Sequence, residues 1–327
     1  MYYLETHSTD PTYNLALEET MLLRRTEGEL LMLWQNDRSV IIGRNQNTPE
    51  EIDGAYAAGH GVAVVRRITG GGAVYHDLGN LNYSFLTDAE EQLSARRFTE
   101  PVVAALRALG LDAEASGRND ILVSGRKVSG TAQRLWNGRI LHHGTLLFDA
   151  DAEEAARVLR PASDKFQSKS TKSVRSRIGN IRPLLSHDMT LDEFWQYLKT
   201  ALAGELTPTE PTAEEQAQAL ALQREKYGTW EWNCGAAPAS TASCRRRYPG
   251  GALEVSVRLE QGRIRHIDFR GDFLALRDLA PVAKALEGRP CRRDEAAAVL
   301  SRFAPEEYFG SLTAEEILDT IPYAEEC

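Results

Sequence analysis

Residues 61–77 read Gly-Val-Ala-Val-Val-Arg-Arg-Ile-Thr-Gly-Gly-Gly-Ala-Val-Tyr-His-Asp, which predicts a buried strand that leads directly into a glycine-rich loop. Three consecutive glycines lack Cβ atoms, so the backbone can approach a ligand closely and turn its N–H groups toward an anion. Arg66 and Arg67 add fixed positive charge at the strand end. The spacing matches neither G-x-x-x-x-G-K-[ST] nor G-x-G-x-x-G. The stretch therefore predicts an anion-binding loop of another kind, with a plain flexible turn as the alternative.

Length and composition indicate a globular protein. At 327 residues the chain suits one large domain and one smaller domain. The sequence shows no apolar run of membrane-spanning length and no secretory signal, so a cytoplasmic location without membrane contact is expected. A net charge of −9 disfavours nucleic acid as a partner. The four cysteines lie in the last third without a C-x-x-C pair, which is typical of free thiols.

One basic segment stands out in this acidic chain. Residues 163–183 lack clear periodicity, and no acidic residue lies between Lys165 and Arg182. We interpret the segment as a functional loop near an anionic ligand, with a solvated basic loop as the alternative.

Turn and capping signals predict an α+β protein. Asp10-Pro11 starts a helix, and further helices are expected at 48–59, 101–109, 151–160, 190–203 and 212–227. Strands are expected at 30–34, 39–43, 62–65 and 82–86. A meander is expected at 121–123, 127–134 and 140–148, with turns at Ser124-Gly125 and Asn137-Gly138. Residues 236–251 have the composition of a boundary, after which strands at 252–259 and 263–269 precede helices.

The meander predicts a convergence of polar side chains. It places Asp120, Lys127 and the pair His142-His143 on neighbouring strands, within reach of one ligand.

An ordered series of motifs resembles the lipoate–protein ligase family over nearly the whole chain. The motifs are residues 66–77, Gly-Arg-Asn-Asp at 117–120, Arg-Lys-Val-Ser-Gly at 126–130, His-His-Gly-Thr-Leu-Leu at 142–147, Thr-Lys-Ser-Val-Arg-Ser-Arg at 171–177 and Trp-Glu-Trp-Asn at 230–233. The resemblance implies a biotin/lipoate-ligase-like mixed sheet with flanking helices in a catalytic domain at 1–247. It also implies a small α+β accessory domain at 248–327.

The resemblance also implies a reaction. ATP and Mg²⁺ would convert free lipoate to lipoyl-AMP and pyrophosphate, and the lipoyl group would then pass to an acceptor lysine. Acceptors would be lipoyl domains of 2-oxoacid dehydrogenase complexes and the glycine-cleavage H protein. A monomer that salvages lipoate is expected.

The family's functional residues carry over to matching positions. Lys127 would contact both the carboxylate and the α-phosphate, and Asp120 would bind Mg²⁺; a surface lysine and a turn residue are the alternatives. The remaining candidates for lipoate or ATP binding are Arg67, Gly70, Gly71, Gly72, Ala73, Val74, Tyr75, His76, Asn119, His143, Gly144, Thr145 and, in a loop that closes over the adenylate, Lys172.

Three other functions are alternatives to the ligase. A lipoyl or octanoyl transferase of the same fold would need a cysteine nucleophile, and no cysteine precedes Cys234. A biotin–protein ligase would carry a different glycine loop. A non-catalytic lipoate-binding protein is the third alternative.

Overall fold

The computed structural model describes residues 1–46, 48–89, 94–117, 119–159, 178–233, 242–260 and 263–323. Strands in these ranges are β1 (Tyr2–Glu5), β2 (Leu30–Trp34), β3 (Ser39–Ile42), β4 (Ala63–Arg66), β5 (Val74–His76), β6 (Asn80–Asp88), β7 (Ala113–Ser116), β8 (Asp120–Val123), β9 (Arg126–Trp136), β10 (Arg139–Leu147), β11 (Thr207–Pro208), β12 (Ala242–Tyr248), β13 (Gly251–Glu260) and β14 (Arg263–Gly271).

The α-helices in the same ranges are α1 (Pro11–Arg24), α2 (Thr48–Glu51), α3 (Gly54–Gly59), α4 (Arg96–Ala108), α5 (Ala152–Val158), α6 (Leu191–Ala203), α7 (Ala213–Leu222), α8 (Trp230–Asn233), α9 (Ala280–Leu286), α10 (Arg293–Leu300), α11 (Pro305–Tyr308) and α12 (Ala314–Thr320). A 3-10 helix spans Arg182–Leu184, and a π-helix, Gln223–Tyr227, continues α7. Within the ranges described, none of the helices has the length and apolar character needed to cross a bilayer.

The larger sheet has the strand order β11-β1-β2-β6-β10-β9-β8-β7. β1 pairs in parallel with β2 and β11, whereas the pairs from β2 onward to β7 are antiparallel. Helices α4 and α6 pack on the sheet through an apolar cluster that includes Phe98, Val102, Phe194 and Leu198. This arrangement confirms the predicted mixed-sheet α+β class.

The predicted meander is confirmed, and its turns explain why. Ser124 and Gly125 have φ of 49° and 76°, and Asn137 and Gly138 have φ of 45° and 75°. Two left-handed residues in a row form the turn whose twist matches that of the flanking strands, and Asn and Gly tolerate this conformation best. The turns thereby set the register that places Asp120 opposite Gly130.

A second sheet holds the glycine loop. Its central strand β3 pairs in parallel with β4 and antiparallel with β5. The loop therefore leaves one neighbour of β3 and returns to the other, so both of its ends are anchored. Val74 and Tyr75 were expected to belong to the loop, but with His76 they form strand β5, which was not predicted.

Several elements differ from the prediction because local signals were weak or misleading. β1 and β7 were not predicted; each has four residues, and pairing with neighbouring strands outweighs their poor local signal. Helix α4 begins at Arg96, before the predicted start at Pro101. The helix expected at 48–59 is two helices, because the Asp53 side chain caps a new start by accepting from the Tyr56 N–H.

The C-terminal unit is built on the three-stranded antiparallel sheet β12-β13-β14. Part of the expected boundary segment at 236–251 is in fact strand β12. As the edge strand it carries three arginines at 245–247, and charge on an edge strand opposes further pairing, which explains its linker-like composition. We propose that the domain boundary lies before Ala242 rather than at 247.

Candidate active site

A cavity lies between the glycine loop and one face of the larger sheet. It contains about 630 Å³ of empty space, part of it open to solvent. Predicted site residues in its lining are Arg67, Gly71, Gly72, Ala73, Val74, His76, Asn119, Lys127, His143, Gly144 and Thr145. The fold thus brings the glycine loop, the Lys127 motif and the His143 motif to one place.

The lining also contains residues that were not predicted as site residues. They are Leu15, Trp34, Ile41, Asn82, Gly130, Thr131 and Ala132. Leu15, Trp34 and Ile41 are buried and form an apolar wall. Leu15 lies on the buried apolar face of α1, and only the packing of that helix shows that this face reaches the cavity.

Lys127 is aimed at Asp120 by an irregularity in strand pairing. The register of β8 and β9 shifts between Ile121 and Leu122, as in a β-bulge. Without that shift Lys127 and Gly130, three residues apart, would point to opposite faces. Instead, Lys127 Nζ lies 2.6 Å from Asp120 Oδ1 and directly beside Gly130, where a Cβ would be 3.2 Å from it. Both side chains of the pair are about one-third exposed, so a ligand can reach them.

Arg67 holds the glycine loop together from inside. Its guanidinium donates to the backbone oxygens of Ile41, Gly70 and Gly72 at 3.0, 2.7 and 2.9 Å, and its Nε donates to Thr69 Oγ1. It is only 6% exposed, and burial lowers the pKa of Arg67 to about 10. Because its donors are used by the loop, Arg67 shapes the cavity more than it offers free charge to it.

The loop carbonyls face Arg67, and this leaves loop amides for other partners. The N–H groups of Gly72 and Ala73 have no protein partner in the described part of the chain. Both residues line the cavity, so these amides can receive an anion. The N–H of Gly71, with φ of 94°, instead donates to Phe273 O at 3.0 Å.

Two predicted residues of the loop lie outside the cavity lining. Tyr75 sits between Val74 and His76, and the alternation of a strand turns it to the opposite face. Burial raises the pKa of Tyr75 to about 12. Gly70 packs against the C-terminal unit, where a Cβ would lie 2.6 Å from Ala275 N and Phe273 O.

A buried hydrogen-bond chain orients His143. Its Nδ1 lies 2.9 Å from Oε1 of the fully buried Glu18, and its Nε2 lies 2.8 Å from Thr69 Oγ1. Glu18 also accepts from Ser84 Oγ, which in turn accepts from Trp34 Nε1 at 2.8 Å. The prediction missed Glu18, although a charged residue on the apolar face of α1 beside Leu15 was the signal.

Two further histidines, His76 and His142, have pKa values well below the usual range. Burial, with smaller effects of Arg67 and His143, lowers the pKa of His76 to about 3. Burial and the neighbouring His143 lower the pKa of His142 to about 3. His76 lines the cavity with Nδ1 3.1 Å from Asn36 Nδ2, whereas His142 stacks on Phe98 on the opposite face of the sheet.

Backbone contacts define the rest of the wall. Asn119 Nδ2 donates to Thr131 O at 3.1 Å, and the Gly130 N–H donates to Thr145 Oγ1 at 3.2 Å. Gly144 has no room for a side chain, since a Cβ would lie 2.5 Å from the hydroxyl of the buried Tyr83. This contact lies on the face of the sheet opposite His143, because neighbouring residues of a strand alternate between the two faces.

Lys172 lies outside the described residues, as do residues 160–177. The next described residues lie beside Lys127 of the cavity, since the Gly179 N–H donates to Lys127 O at 3.0 Å. Arg182, at the end of the basic segment, pairs with Asp149 and Asp188 at 2.9 Å each. It is therefore already neutralised by acidic neighbours.

Comparisons with known proteins cover both parts of the chain. Residues 10–203 match the model of the lipoyl protein ligase A/B catalytic domain, and residues 237–321 match that of the bacterial lipoate protein ligase C-terminus. A lipoate-protein ligase of Bacillus subtilis is 41% identical over 320 residues, which are 95% of this chain and 97% of that protein.

Solved structures of lipoate–protein ligases also resemble this chain. A bipartite lipoate protein ligase studied with its E2 lipoyl domain, from Thermoplasma acidophilum, gives a TM-score of 0.65 at 32% identity, covering 74% of this chain and 98% of that one. The structure of a lipoate-protein ligase A bound with ATP gives a TM-score of 0.62 at 31% identity. The match covers 72% of this chain and 97% of that one. With four of the six motifs contributing to one cavity and the identity extending over nearly its full length, the chain belongs to the lipoate–protein ligase family.

Proposed function

We propose that this protein is an ATP-dependent lipoate–protein ligase that salvages free lipoate. The observation that carries the proposal is the Lys127–Asp120 pair at 2.6 Å in a cavity that also presents the free amides of Gly72 and Ala73. One cavity thus offers a cation, a carboxylate and anion-binding backbone groups beside an apolar wall.

The two ends of lipoate suit the two ends of this cavity. The alkyl chain and dithiolane ring would pack against Leu15, Trp34 and Ile41, where burial of apolar surface favours binding. The carboxylate would be drawn to Lys127 Nζ. The relative named as bound with ATP supports a nucleotide as the second substrate.

The first reaction activates the carboxylate. Its oxygen attacks the α-phosphorus of ATP, and the bond from that phosphorus to the bridging oxygen breaks, so the electron pair leaves with pyrophosphate. Lys127 would neutralise charge on the carboxylate and α-phosphate, and the Gly72 and Ala73 amides would hold phosphate oxygens. Such prearranged donors stabilise developing charge without reorganisation.

Asp120 fits a Mg²⁺ ion that binds chiefly through phosphate. In the described ranges no group of three His, Cys, Asp or Glu side chains could hold a metal ion by itself. Mg²⁺ ordinarily uses one or two carboxylates together with phosphate oxygens and water. When bound, the Mg²⁺ ion would neutralise phosphate charge. Without the ion, Asp120 pairs with Lys127 and orients its side chain.

The second reaction transfers the lipoyl group. The neutral amine of an acceptor lysine attacks the acyl carbon, a C–N bond forms, and the C–O bond to the phosphate breaks with release of AMP and a proton. We propose that the acceptors are lipoyl domains of 2-oxoacid dehydrogenase complexes and the glycine-cleavage H protein. The archaeal relative studied with its E2 lipoyl domain supports this class of acceptor.

A transferase with a cysteine nucleophile is the second candidate function. The two cysteines in the described residues, Cys244 and Cys291, do not line the cavity. Cys291 is also buried, and its Sγ donates to Pro322 O at 3.5 Å. These positions favour the ligase.

Lipoate-dependent ATP–pyrophosphate exchange without acceptor protein tests the proposal. Exchange by the wild type that is abolished in Lys127→Ala and unchanged in Lys199→Ala would support it. Lys199 is a suitable control because its Nζ pairs with Glu5 at 3.1 Å away from the cavity. Absence of lipoate-dependent exchange in folded wild type would contradict it.

A further inference from the structure

One row of residues crosses the floor of the cavity on five neighbouring strands. Trp34 pairs with Asn82, and Asn82 pairs with Thr145. The Gly130 N–H donates to Thr145 Oγ1, and Gly130 pairs with Asp120. The row therefore runs from the apolar wall at Trp34 to the charged pair at Asp120, with Lys127 Nζ above Gly130.

Asn82 is the polar residue nearest the apolar end of this row. It is 1% exposed, and its Oδ1 accepts from Asn80 Nδ2 at 3.0 Å. Its Nδ2 has no hydrogen-bond partner among the described residues, although Asn82 lines the cavity. A buried N–H group without a partner is unfavourable, and it is usually explained by a role in binding or by an ordered water.

The position of Asn82 suits an acyl group held by Lys127. Neighbouring strands are about 4.8 Å apart, so Asn82 and Gly130 are roughly 10 Å apart with Thr145 midway. A carboxyl carbon above Thr145 would direct one oxygen toward Lys127 and the other toward Asn82. The alkyl chain would then continue past Asn82 to Trp34.

We propose that Asn82 Nδ2 donates to the acyl oxygen of bound lipoate and retains this contact through both half-reactions; the inference rests on the proposed function. During transfer, the lysine nitrogen forms the C–N bond and the carbonyl π electrons move to this oxygen. Asn82 stabilises the resulting oxyanion. The carbonyl re-forms, the C–O bond to AMP breaks with its electron pair on AMP, and the nitrogen releases a proton to water.

Single-turnover transfer from chemically prepared lipoyl-AMP to a lipoyl domain tests this role apart from adenylation. We expect Asn82→Leu to slow transfer about 100-fold, as found for loss of one oxyanion donor. Asn82→Asp keeps an acceptor for Asn80 but places negative charge at the oxyanion, so its rate should be lower still. Both variants should still unfold in a thermal transition, which would show that each of them is folded.

Asn45→Leu is the matched control. Asn45 Nδ2 is likewise buried without a described partner, but Asn45 does not line the cavity. This variant should transfer at the wild-type rate. Transfer by Asn82→Leu or Asn82→Asp within threefold of wild type would overturn the inference, since the Nδ2 site would then hold only water. Failure of wild-type ATP–pyrophosphate exchange would instead overturn the proposed function, so the two failures are distinguishable.

Discussion

Gly70 offers a direct test of the contact between the glycine loop and the C-terminal unit. An alanine Cβ at this position would lie 2.6 Å from both Ala275 N and Phe273 O. Both are backbone atoms, so no side-chain rotation can relieve the overlap. Gly70 does not have a left-handed φ, so its backbone conformation is compatible with alanine. Any loss of stability in Gly70→Ala would therefore come from the overlap with the C-terminal unit.

Two effects determine how much Gly70→Ala lowers the free energy of unfolding. Overpacking of this kind costs about 1–3 kcal/mol. If the unit moves away, the hydrogen bond from Gly71 N–H to Phe273 O, 3.0 Å long, is lost at a further cost of about 1 kcal/mol. Gly70→Ala should therefore lower the free energy of unfolding, measured by urea denaturation with tryptophan fluorescence.

Gly72→Ala is the matched comparison. Its Cβ would lie 3.9 Å from Asp272 Cβ, an ordinary contact, and its φ is also not left-handed. The entropic gain from replacing glycine in the unfolded chain is common to both variants and cancels in the difference. Equal unfolding free energies for the two variants would refute the packing of the C-terminal unit on Gly70.

Three further outcomes are expected. Glu18→Ala leaves buried donors without their acceptor and should lower the free energy of unfolding by about 3–5 kcal/mol in urea; a loss below 1 kcal/mol would contradict the buried network. Gly144→Ala would put a Cβ 2.5 Å from the Tyr83 hydroxyl, so differential scanning calorimetry should show a lower Tm, and an unchanged Tm would exclude the close contact. Because His76 and His142 have folded-state pKa values of about 3, the unfolded chain binds more protons between pH 6.5 and 3, and stability should fall as pH falls through that window. His142→Phe should reduce this slope by up to about 1.4 kcal/mol per pH unit, and an unchanged slope in acid denaturation would show that His142 is not buried neutral.

Much of the fold was predictable because its signals are local. Asp10 accepts from the Thr12 N–H at the start of α1, as the Asp-Pro pair predicts. The turns at 124–125 and 137–138 take left-handed conformations, which Asn137 and the two glycines favour. Where the signal was weak, as in the short strands β1 and β7, only pairing with neighbours defined the element.

The amino-acid sequence by itself determined the family, the mixed α+β class and the residue types that meet in the cavity, because ordered motifs and turn chemistry depend on near neighbours in the chain. Only the tertiary structure decided orientation. The register shift beside Ile121 turns Lys127 toward Asp120, and strand alternation sends His143 into the cavity but His142 to the opposite face. Glu18 reaches His143 across 125 residues of chain. Such contacts depend on register and packing between distant segments, which no local pattern encodes.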